Sequence, residues 1–350
     1  MLKGLEDRIF PYGTPTASEI VAKADVVLAV GTELGESLHY GRHVHWAKGE
    51  TERKWIYIER DPTAFGVNRP IDVPLVGDLR DIVPQLTEGL KADRPPAAAL
   101  SSWSTARAAE RTSLFDTAPP TSSPIHPARL AIEATKALPP ETVIVRDGGA
   151  SGLYFSFFNQ LQPHDAMWNS NYGAVGPGLP YAIGAQVAVG DARRVVLLTG
   201  DSSILFHISE IETAVRENLP VVCVVAVDYA WGIEVASYKA NYGPDTAMPG
   251  ACWDKSVRLD KTAESLGAHG EYVDKAEDIA PAIERALASG RPAIVHVVVD
   301  PNFNQSFAHL PGMEEFRTWY GEPGDTLGFA GTPAAPQSAA AKPMDDGSGY

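Results

Sequence analysis

The chain has 350 residues, of which 44% are hydrophobic and 21% are charged, a composition that allows two ordinary domains. Its formal net charge of −15 disfavours nucleic acid and anionic membranes as partners, because both are negatively charged. The apolar runs are too short to span a membrane and no signal-peptide pattern is present, so we expect a cytoplasmic protein. The two cysteines, Cys223 and Cys252, disfavour a disulfide framework.

The first predicted domain, residues 1–94, alternates helices with apolar strands, which indicates a parallel sheet. It offers only about three strands, so it corresponds to half of a Rossmann-like α/β domain. The elements expected in it are a helix over 17–24, strands over 26–30, 55–58 and 73–76, and a helix over 79–91.

Residues 95–125 are rich in proline, alanine and serine, and we expect an extended linker with a short helix. Residues 126–312 again alternate strands with helices and predict a second α/β domain, built on a doubly wound parallel sheet. Residues 313–350 are expected to form a carboxyl-terminal arm and a disordered tail. The elements expected in the second domain are helices over 127–138, 178–189, 208–218, 258–266 and 276–288, and strands over 143–145, 195–198, 221–227 and 293–299.

Two aspartates follow two buried strands of the second domain. An apolar run over 195–198 leads into Gly200 and Asp201, an amphipathic helix follows, and the next apolar run leads into Asp228. A strand-helix-strand unit places both carboxylates at the carboxyl ends of neighbouring parallel strands, where open α/β sheets bind ligands. Two carboxylates, a serine hydroxyl and free backbone groups at the start of a helix suit a magnesium ion that carries a diphosphate.

Each of these residue types also has an ordinary structural role. Asp201 suits a helix N-cap at a strand-helix junction, and Asp228 suits a turn. Ser202 and Ser203 suit the solvated first turn of a helix. What favours a joint role is the interval between the two aspartates.

These residues resemble the metal-diphosphate motif of thiamine-diphosphate-dependent enzymes, which reads Gly-Asp-Gly or Gly-Asp-Ala/Ser, then Asn about 27 residues beyond the Asp. Here 228 − 201 = 27, and Asp228 stands where Asn is commoner. The resemblance implies that the side chains of Asp201 and Asp228, with the carbonyl of Ala230, bind Mg²⁺. It also implies that Ser202 and Ser203 contact the diphosphate of thiamine diphosphate.

The resemblance extends over most of the chain, from about residue 17 to 305. Residues 171–180 and 182–185 resemble the family block Gly-x-Met-Gly-x-Gly-Leu-Pro-Ala-Ala-Ile-Gly-Ala, and residues 147–149 resemble the turn that contacts the diphosphate. In the first predicted domain, three segments are similar to the second half of the central domain of acetolactate-synthase-like members. They are residues 27–33, 58–62 and 76–78.

The family also implies where the rest of the cofactor lies. The pyrimidine ring is expected against residues 173–175, with Val175 as a wedge smaller than the usual Met, Leu or Ile. Ala150 and Ser151 are expected to contact the diphosphate. The side chains expected beside the thiazolium ring are Tyr229, Trp231, Ile233 and Glu234. The full predicted cofactor-binding set is Ala150, Ser151, Gly173, Ala174, Val175, Gly200, Asp201, Ser202, Ser203, Asp228, Ala230, Trp231, Gly232 and Ile233.

Residues 228–232 look most like acetolactate-synthase-like and 2-hydroxyacyl-CoA-lyase-like proteins, which implies a lyase or carboligase acting on 2-oxo acids or 2-hydroxyacyl compounds. In this family an amino-terminal domain supplies a glutamate that activates the cofactor, and no glutamate here takes that place. We therefore expect a split subunit, a truncated product or a fragment. It would form a homo-oligomer or need a partner chain that carries the pyrimidine domain.

Two alternatives stay open. The missing glutamate favours a non-catalytic subunit or fragment that retained the fold, whereas the intact metal motif disfavours it. A nucleotide-binding Rossmann oxidoreductase requires a glycine-rich turn, and residues 31–35 lack its spacing. Glu59 ends a strand where Rossmann-like folds hold an adenine ribose, but FAD or ADP binding is not expected without such a turn.

Overall fold

The computed structural model describes residues 14–32, 34–35, 53–90, 99–158, 166–168 and 174–306. These residues form one three-stranded and one six-stranded sheet, each with parallel strands only. The expectations for Gly173 and for residues 313–350 concern parts of the chain outside these ranges. Within them, no helix combines the length and apolarity that crossing a membrane requires.

The smaller sheet has its three strands side by side in chain order, as expected for half of a Rossmann-like domain. Its core is formed mainly by Trp55 and Tyr57, which lie on one face of the middle strand and are 1% and 2% exposed. The Arg69 guanidinium lies over the Trp55 ring at 3.7 Å. The elements are a helix at Pro15–Lys23, β1 at Val26–Val30, β2 at Lys54–Glu59, β3 at Val73–Val76 and a helix at Leu79–Gly89.

The segment expected to be an extended linker contains a 17-residue helix, Leu100–Asp116. Its Glu110 accepts hydrogen bonds from Thr16 of the first helix. The ring centroids of its Phe115 and of Phe158, which follows the helix Ala150–Phe157, are 5.7 Å apart. The segment is therefore packed rather than extended. The alanine, arginine and glutamate residues between the two proline-rich stretches explain the helix, because they are good helix formers.

The strands of the larger sheet are β4 at Val143–Arg146, β5 at Ala166–Trp168, β6 at Val195–Gly200, β7 at Val222–Val227, β8 at His269–Val273 and β9 at Ala293–Val298. Their order across the sheet is β5-β4-β6-β7-β9-β8. Its helices are Pro127–Ala137, Ala150–Phe157, Gly178–Val189, Asp201–Leu205, Glu210–Arg216, Gly232–Tyr242, Leu259–Ser265, Ile279–Ala288 and Pro301–Asn304.

Helices cover both faces of this sheet, which confirms the doubly wound α/β fold. One buried cluster packs the helices Pro127–Ala137 and Ile279–Ala288 against one face. A second cluster packs Gly178–Val189 and Leu259–Ser265 against the other. Every residue of β6 and β7 is buried, which explains why both strands read as continuous apolar runs rather than alternating ones.

Candidate cofactor site

The two aspartates of the predicted metal site lie together at the carboxyl ends of β6 and β7. The two strands pair in parallel with Gly200 opposite Ala226, so Asp201 and Asp228 leave the sheet at the same edge. The Asp201 carboxylate accepts hydrogen bonds of 2.8 Å from the backbone N–H groups of Ser202 and Tyr229. The motif on β6 is thus bonded directly to the turn after β7.

Both carboxyl groups are buried, at 2% exposure for Asp201 and 6% for Asp228. Burial raises the pKa of Asp201 well above its usual range, and the nearby Asp228 charge raises it further. Burial likewise raises the pKa of Asp228 to about 6. Two buried carboxylates within reach of each other repel, and a divalent cation between them would remove that cost. Among the described residues, no three or more His, Cys, Asp or Glu side chains cluster as metal ligands.

Ala230 occupies a position that suits its predicted carbonyl ligand. It forms an isolated antiparallel bridge with Cys252, made by the bonds Trp231 N–H to Ala251 O and Trp253 N–H to Tyr229 O. In such a non-hydrogen-bonded pair, the N–H and C=O of the paired residue point away from the partner segment. The carbonyl of Ala230 is therefore not used by the bridge.

Tyr229 adopts φ = +60°, a left-handed conformation that is uncommon for a residue other than glycine. Its backbone N–H points to Asp201, whereas its ring packs against a buried cluster and lies 6.2 Å from His296. The expectation that this ring lines the thiazolium cleft stays a prediction; in the structure the half-buried ring faces the buried cluster on its own side of the sheet. The constrained backbone is part of what places Asp228 and Ala230.

Glycines pack the elements around the aspartates too closely for side chains. A Cβ on Gly148 would lie 3.1 Å from the backbone nitrogen of Gly200, and one on Gly200 would lie 3.0 Å from Ser151 Oγ. The hydroxyl of Ser203 is fully buried, and it has no hydrogen-bond partner within the described part of the chain. A buried, unpaired hydroxyl beside glycine backbone is the kind of group that a phosphate oxygen satisfies.

Asp147, which directly follows β4, fixes the backbone at the start of the helix Gly178–Val189. Its carboxylate accepts hydrogen bonds from the N–H groups of Gly148 at 2.6 Å, Gly176 at 3.0 Å and Gly178 at 2.8 Å. The sequence placed Asp147 in a turn but did not identify this role. The acidic residue directly before two glycines was the available signal.

Asn304 and Gln305, which follow β9, are the second group that the sequence did not identify. Gln305 Nε2 lies 3.3 Å from Asp228 Oδ2 and 3.2 Å from the Asp228 carbonyl oxygen. The Asn304 side chain is buried, and its amide donates to Ser151 Oγ at 3.4 Å. No local sequence signal links these amides to Asp228, since the turn joins the site only through the order of the strands.

Some of the other predicted cofactor residues lie near one another at this edge. Ile233 lies over Gly149, where a Cβ would approach it to 3.0 Å, and Trp231 meets the ring of Phe206 edge-on at 5.4 Å. Ala150 is buried, 3.5 Å from where a Cβ of Gly232 would lie. Among the remaining residues, Val175 and Ser202 are half-buried, Ala174 and Glu234 are exposed, and Gly173 lies outside the described residues.

Comparison with protein-family models identifies both halves of the chain. Residues 147–297 match the model described as thiamine pyrophosphate enzyme, C-terminal TPP binding domain. Residues 7–86 match thiamine pyrophosphate enzyme, central domain. The chain belongs to the thiamine pyrophosphate enzyme family. The first of these matches includes all the strand ends that bear the predicted metal ligands.

Curated relatives agree with this placement. The chain is 32% identical to acetolactate synthase large subunit IlvG of Mycobacterium tuberculosis over 291 residues, which is 81% of this chain and 50% of that protein. It is 28% identical to 2-hydroxyacyl-CoA lyase of Arabidopsis thaliana over 321 residues, 86% of this chain and 54% of that protein. It is 26% identical to sulfoacetaldehyde acetyltransferase of Alcaligenes xylosoxydans xylosoxydans over 326 residues, which is 84% of this chain and 53% of that protein. The chain thus spans about half the length of these relatives.

Proposed function

We propose that this chain binds thiamine diphosphate and Mg²⁺ at the edge of the larger sheet and forms the cofactor-binding part of a lyase or carboligase. The observation that carries the proposal is the pairing of Asp201 and Asp228, two buried carboxylates from adjacent strand ends. Two buried carboxylates repel each other, and a Mg²⁺ ion bound between them together with the diphosphate would offset that repulsion.

The residues of the site fit this cofactor. Asp201, Asp228 and the carbonyl of Ala230 offer hard oxygen ligands, which Mg²⁺ prefers. Ser203, with its unpaired hydroxyl, and Ser202 lie next to Asp201 and would bind diphosphate oxygens. A side chain at Gly200 would press on Ser151 Oγ, and one at Gly232 would press on Asp228 Oδ2.

The remaining predicted contacts would hold the organic part of the cofactor. Val175 would provide the apolar wedge, and Trp231 and Ile233 would line the cleft. When bound, thiamine diphosphate supplies a nucleophilic carbon and an electron sink for breaking or forming a C–C bond beside a carbonyl. The task of this chain is to hold the diphosphate, orient the rings and exclude water from the reacting carbonyl.

The substrate class we propose is 2-oxo acids or 2-hydroxyacyl compounds, in line with relatives named acetolactate synthase and 2-hydroxyacyl-CoA lyase. The glutamate that activates the cofactor would come from a separate domain or chain, so the active unit would be an oligomer or a complex. We propose domain limits of 1–94, 95–125 and 126–312, with an arm and tail over 313–350. The cytoplasmic location stays a prediction.

Isothermal titration with thiamine diphosphate tests the proposal directly. The chain is expected to bind the cofactor with Mg²⁺ present and to lose binding when EDTA removes the ion. Asp201→Ala should abolish the Mg²⁺-dependent part of the heat signal, because one of two acidic ligands is gone. Cofactor binding that is indifferent to both EDTA and this substitution would refute the site.

Activity separates the proposed enzyme from a non-catalytic subunit that kept the fold. The chain is mixed with thiamine diphosphate, Mg²⁺ and pyruvate, with and without a protein bearing the amino-terminal pyrimidine domain. Release of carbon dioxide or acetolactate only in the mixture supports a divided active site. If no carbon dioxide or acetolactate forms in any mixture although the cofactor binds, the result would favour the non-catalytic subunit.

A further inference from the structure

The turn after β9 brings side-chain amides onto the second aspartate of the pair. Gln305 Nε2 lies within hydrogen-bonding distance of both Asp228 Oδ2, at 3.3 Å, and the Asp228 carbonyl oxygen, at 3.2 Å. One amide group thus contacts the side chain and the main chain of the same residue. Such a pair of bonds fixes the side-chain torsion of Asp228 as well as its position.

The space between this carboxylate oxygen and Gly232 is too small for a side chain. A Cβ on Gly232 would lie 2.8 Å from Asp228 Oδ2 and 2.9 Å from the carbonyl oxygen of Asn304. Asn304 itself is 1% exposed and reaches Ser151 Oγ at 3.4 Å, which ties the turn to the helix Ala150–Phe157. The turn that carries Gln305 is therefore held in place independently of Gln305.

The chemistry of Asp228 explains why an amide is needed there. A carboxylate is an acceptor only, whereas an asparagine at this position would supply its own donor. Once a cation has displaced the proton of Asp201, that side chain offers no donor, and the Asp228 carboxylate is oriented by a donor from elsewhere in the protein. Gln305 is neutral and offers N–H groups without adding a fixed positive charge that would repel a cation.

We infer that Gln305 is a positioning residue for Asp228, one that adapts this chain to a second carboxylate in its metal site. The inference rests on the proposed function, since it takes Asp228 as a ligand of the cation. Gln305 holds one oxygen of the carboxylate, so that the group faces Asp201 in one orientation. It does not bind the cation or the substrate itself.

Binding of Mn²⁺ in the presence of thiamine diphosphate, followed by the electron paramagnetic resonance signal of the free ion, tests this role. Gln305→Met keeps the side-chain length and removes the amide, and it should weaken Mn²⁺ binding about 3- to 10-fold. In an Asp228→Asn background the same change should cost less than about twofold, because no carboxylate remains to be held. Asn302→Ala, an exposed residue of the same turn, is the matched control and should leave Mn²⁺ binding unchanged.

A second variant protects the test against misfolding. Gln305→Glu preserves shape but places an acceptor against an acceptor, so it should weaken Mn²⁺ binding more than Gln305→Met does. An equal loss in both Asp228 backgrounds, or no loss in either, would overturn the positioning role. If the unaltered chain with thiamine diphosphate bound no Mn²⁺, the proposed function itself would fail, and the inference with it.

Discussion

The Asp147 carboxylate accepts the backbone N–H of Gly178 at 2.8 Å, and a Cβ on Gly178 would lie 2.5 Å from Asp147 Cβ. The turn after β4 and the start of the helix Gly178–Val189 are therefore in direct contact. No side chain fits between them, and the acid accepts the N–H groups of Gly176 and Gly178.

Asp147→Asn should destabilise the chain by about 2–4 kcal/mol, because in either orientation its NH₂ group would face a backbone N–H donor, that of Gly148 or those of Gly176 and Gly178. Urea unfolding followed by circular dichroism measures the free energy of unfolding. Asp191→Asn, at an exposed position, is the matched control and should change it by less than about 0.5 kcal/mol. Equal effects of the two variants would contradict the role given to Asp147.

Gly232→Ala should disrupt the site, since its new methyl group would meet Asp228 Oδ2 and the Asn304 carbonyl. We expect Mg²⁺-dependent binding of thiamine diphosphate to weaken at least about tenfold, measured by calorimetry. Gly184→Ala is the matched control, because a Cβ there meets no atom within 4 Å and the residue lies inside a helix. That control should keep cofactor binding and gain about 0.5–1 kcal/mol of stability.

Asp228→Asn should raise the stability of the metal-free chain while weakening cation binding. Burial raises the pKa of Asp228 to about 6, so at pH 8 the folded chain holds an ionised carboxylate in an unfavourable site. Removing that charge should raise the free energy of unfolding by about 1–3 kcal/mol in EDTA. Thermal melts at pH 8 with EDTA and with Mg²⁺ plus thiamine diphosphate should show opposite shifts for this variant. Destabilisation in EDTA would contradict the description of the pair.

Acid should destabilise the chain through His296, which is fully buried on β9 and accepts the N–H of Leu259 with Nδ1 at 3.2 Å. Burial lowers its pKa to about 4. Between about pH 6.5 and pH 4 the unfolded chain binds the proton and the folded chain does not, so stability is complete above this window and falls as the pH drops through it. The loss of unfolding free energy should approach about 3 kcal/mol. Urea titrations at a series of pH values measure how the free energy of unfolding depends on pH. His296→Asn should make that dependence weaker between about pH 6.5 and pH 4, and an unchanged dependence would refute the role of His296.

The apolar runs of the larger sheet predicted its central strands, because a parallel strand buried on both faces reads as continuous valine, isoleucine and leucine. The short edge strand β5 and the mixed strand β8 were not predicted, and neither was the helix Gly232–Tyr242. Strand β5 has only three residues, which is too few for a periodic signal, and the other two elements mix polar and apolar residues without a clear period.

At the candidate site, the sequence predicted that Asp201 and Asp228 meet, since the topology of a strand-helix-strand unit requires it. It did not predict the left-handed backbone of Tyr229, because a positive φ at a residue other than glycine has no sequence signature. Nor did it predict Gln305, whose partner lies 77 residues earlier. Contacts of this range arise from the order of the strands rather than from any local pattern.

That separation has a consequence for biosynthesis. As the chain leaves the ribosome, both acids emerge well before the last central strand and the amide that follows it. Until β9 inserts between β7 and β8, the acidic edge lacks its neutral donor and would remain solvated. Cofactor capture should therefore be a late event in folding, and thiamine diphosphate with Mg²⁺ should stabilise the finished sheet rather than speed its assembly.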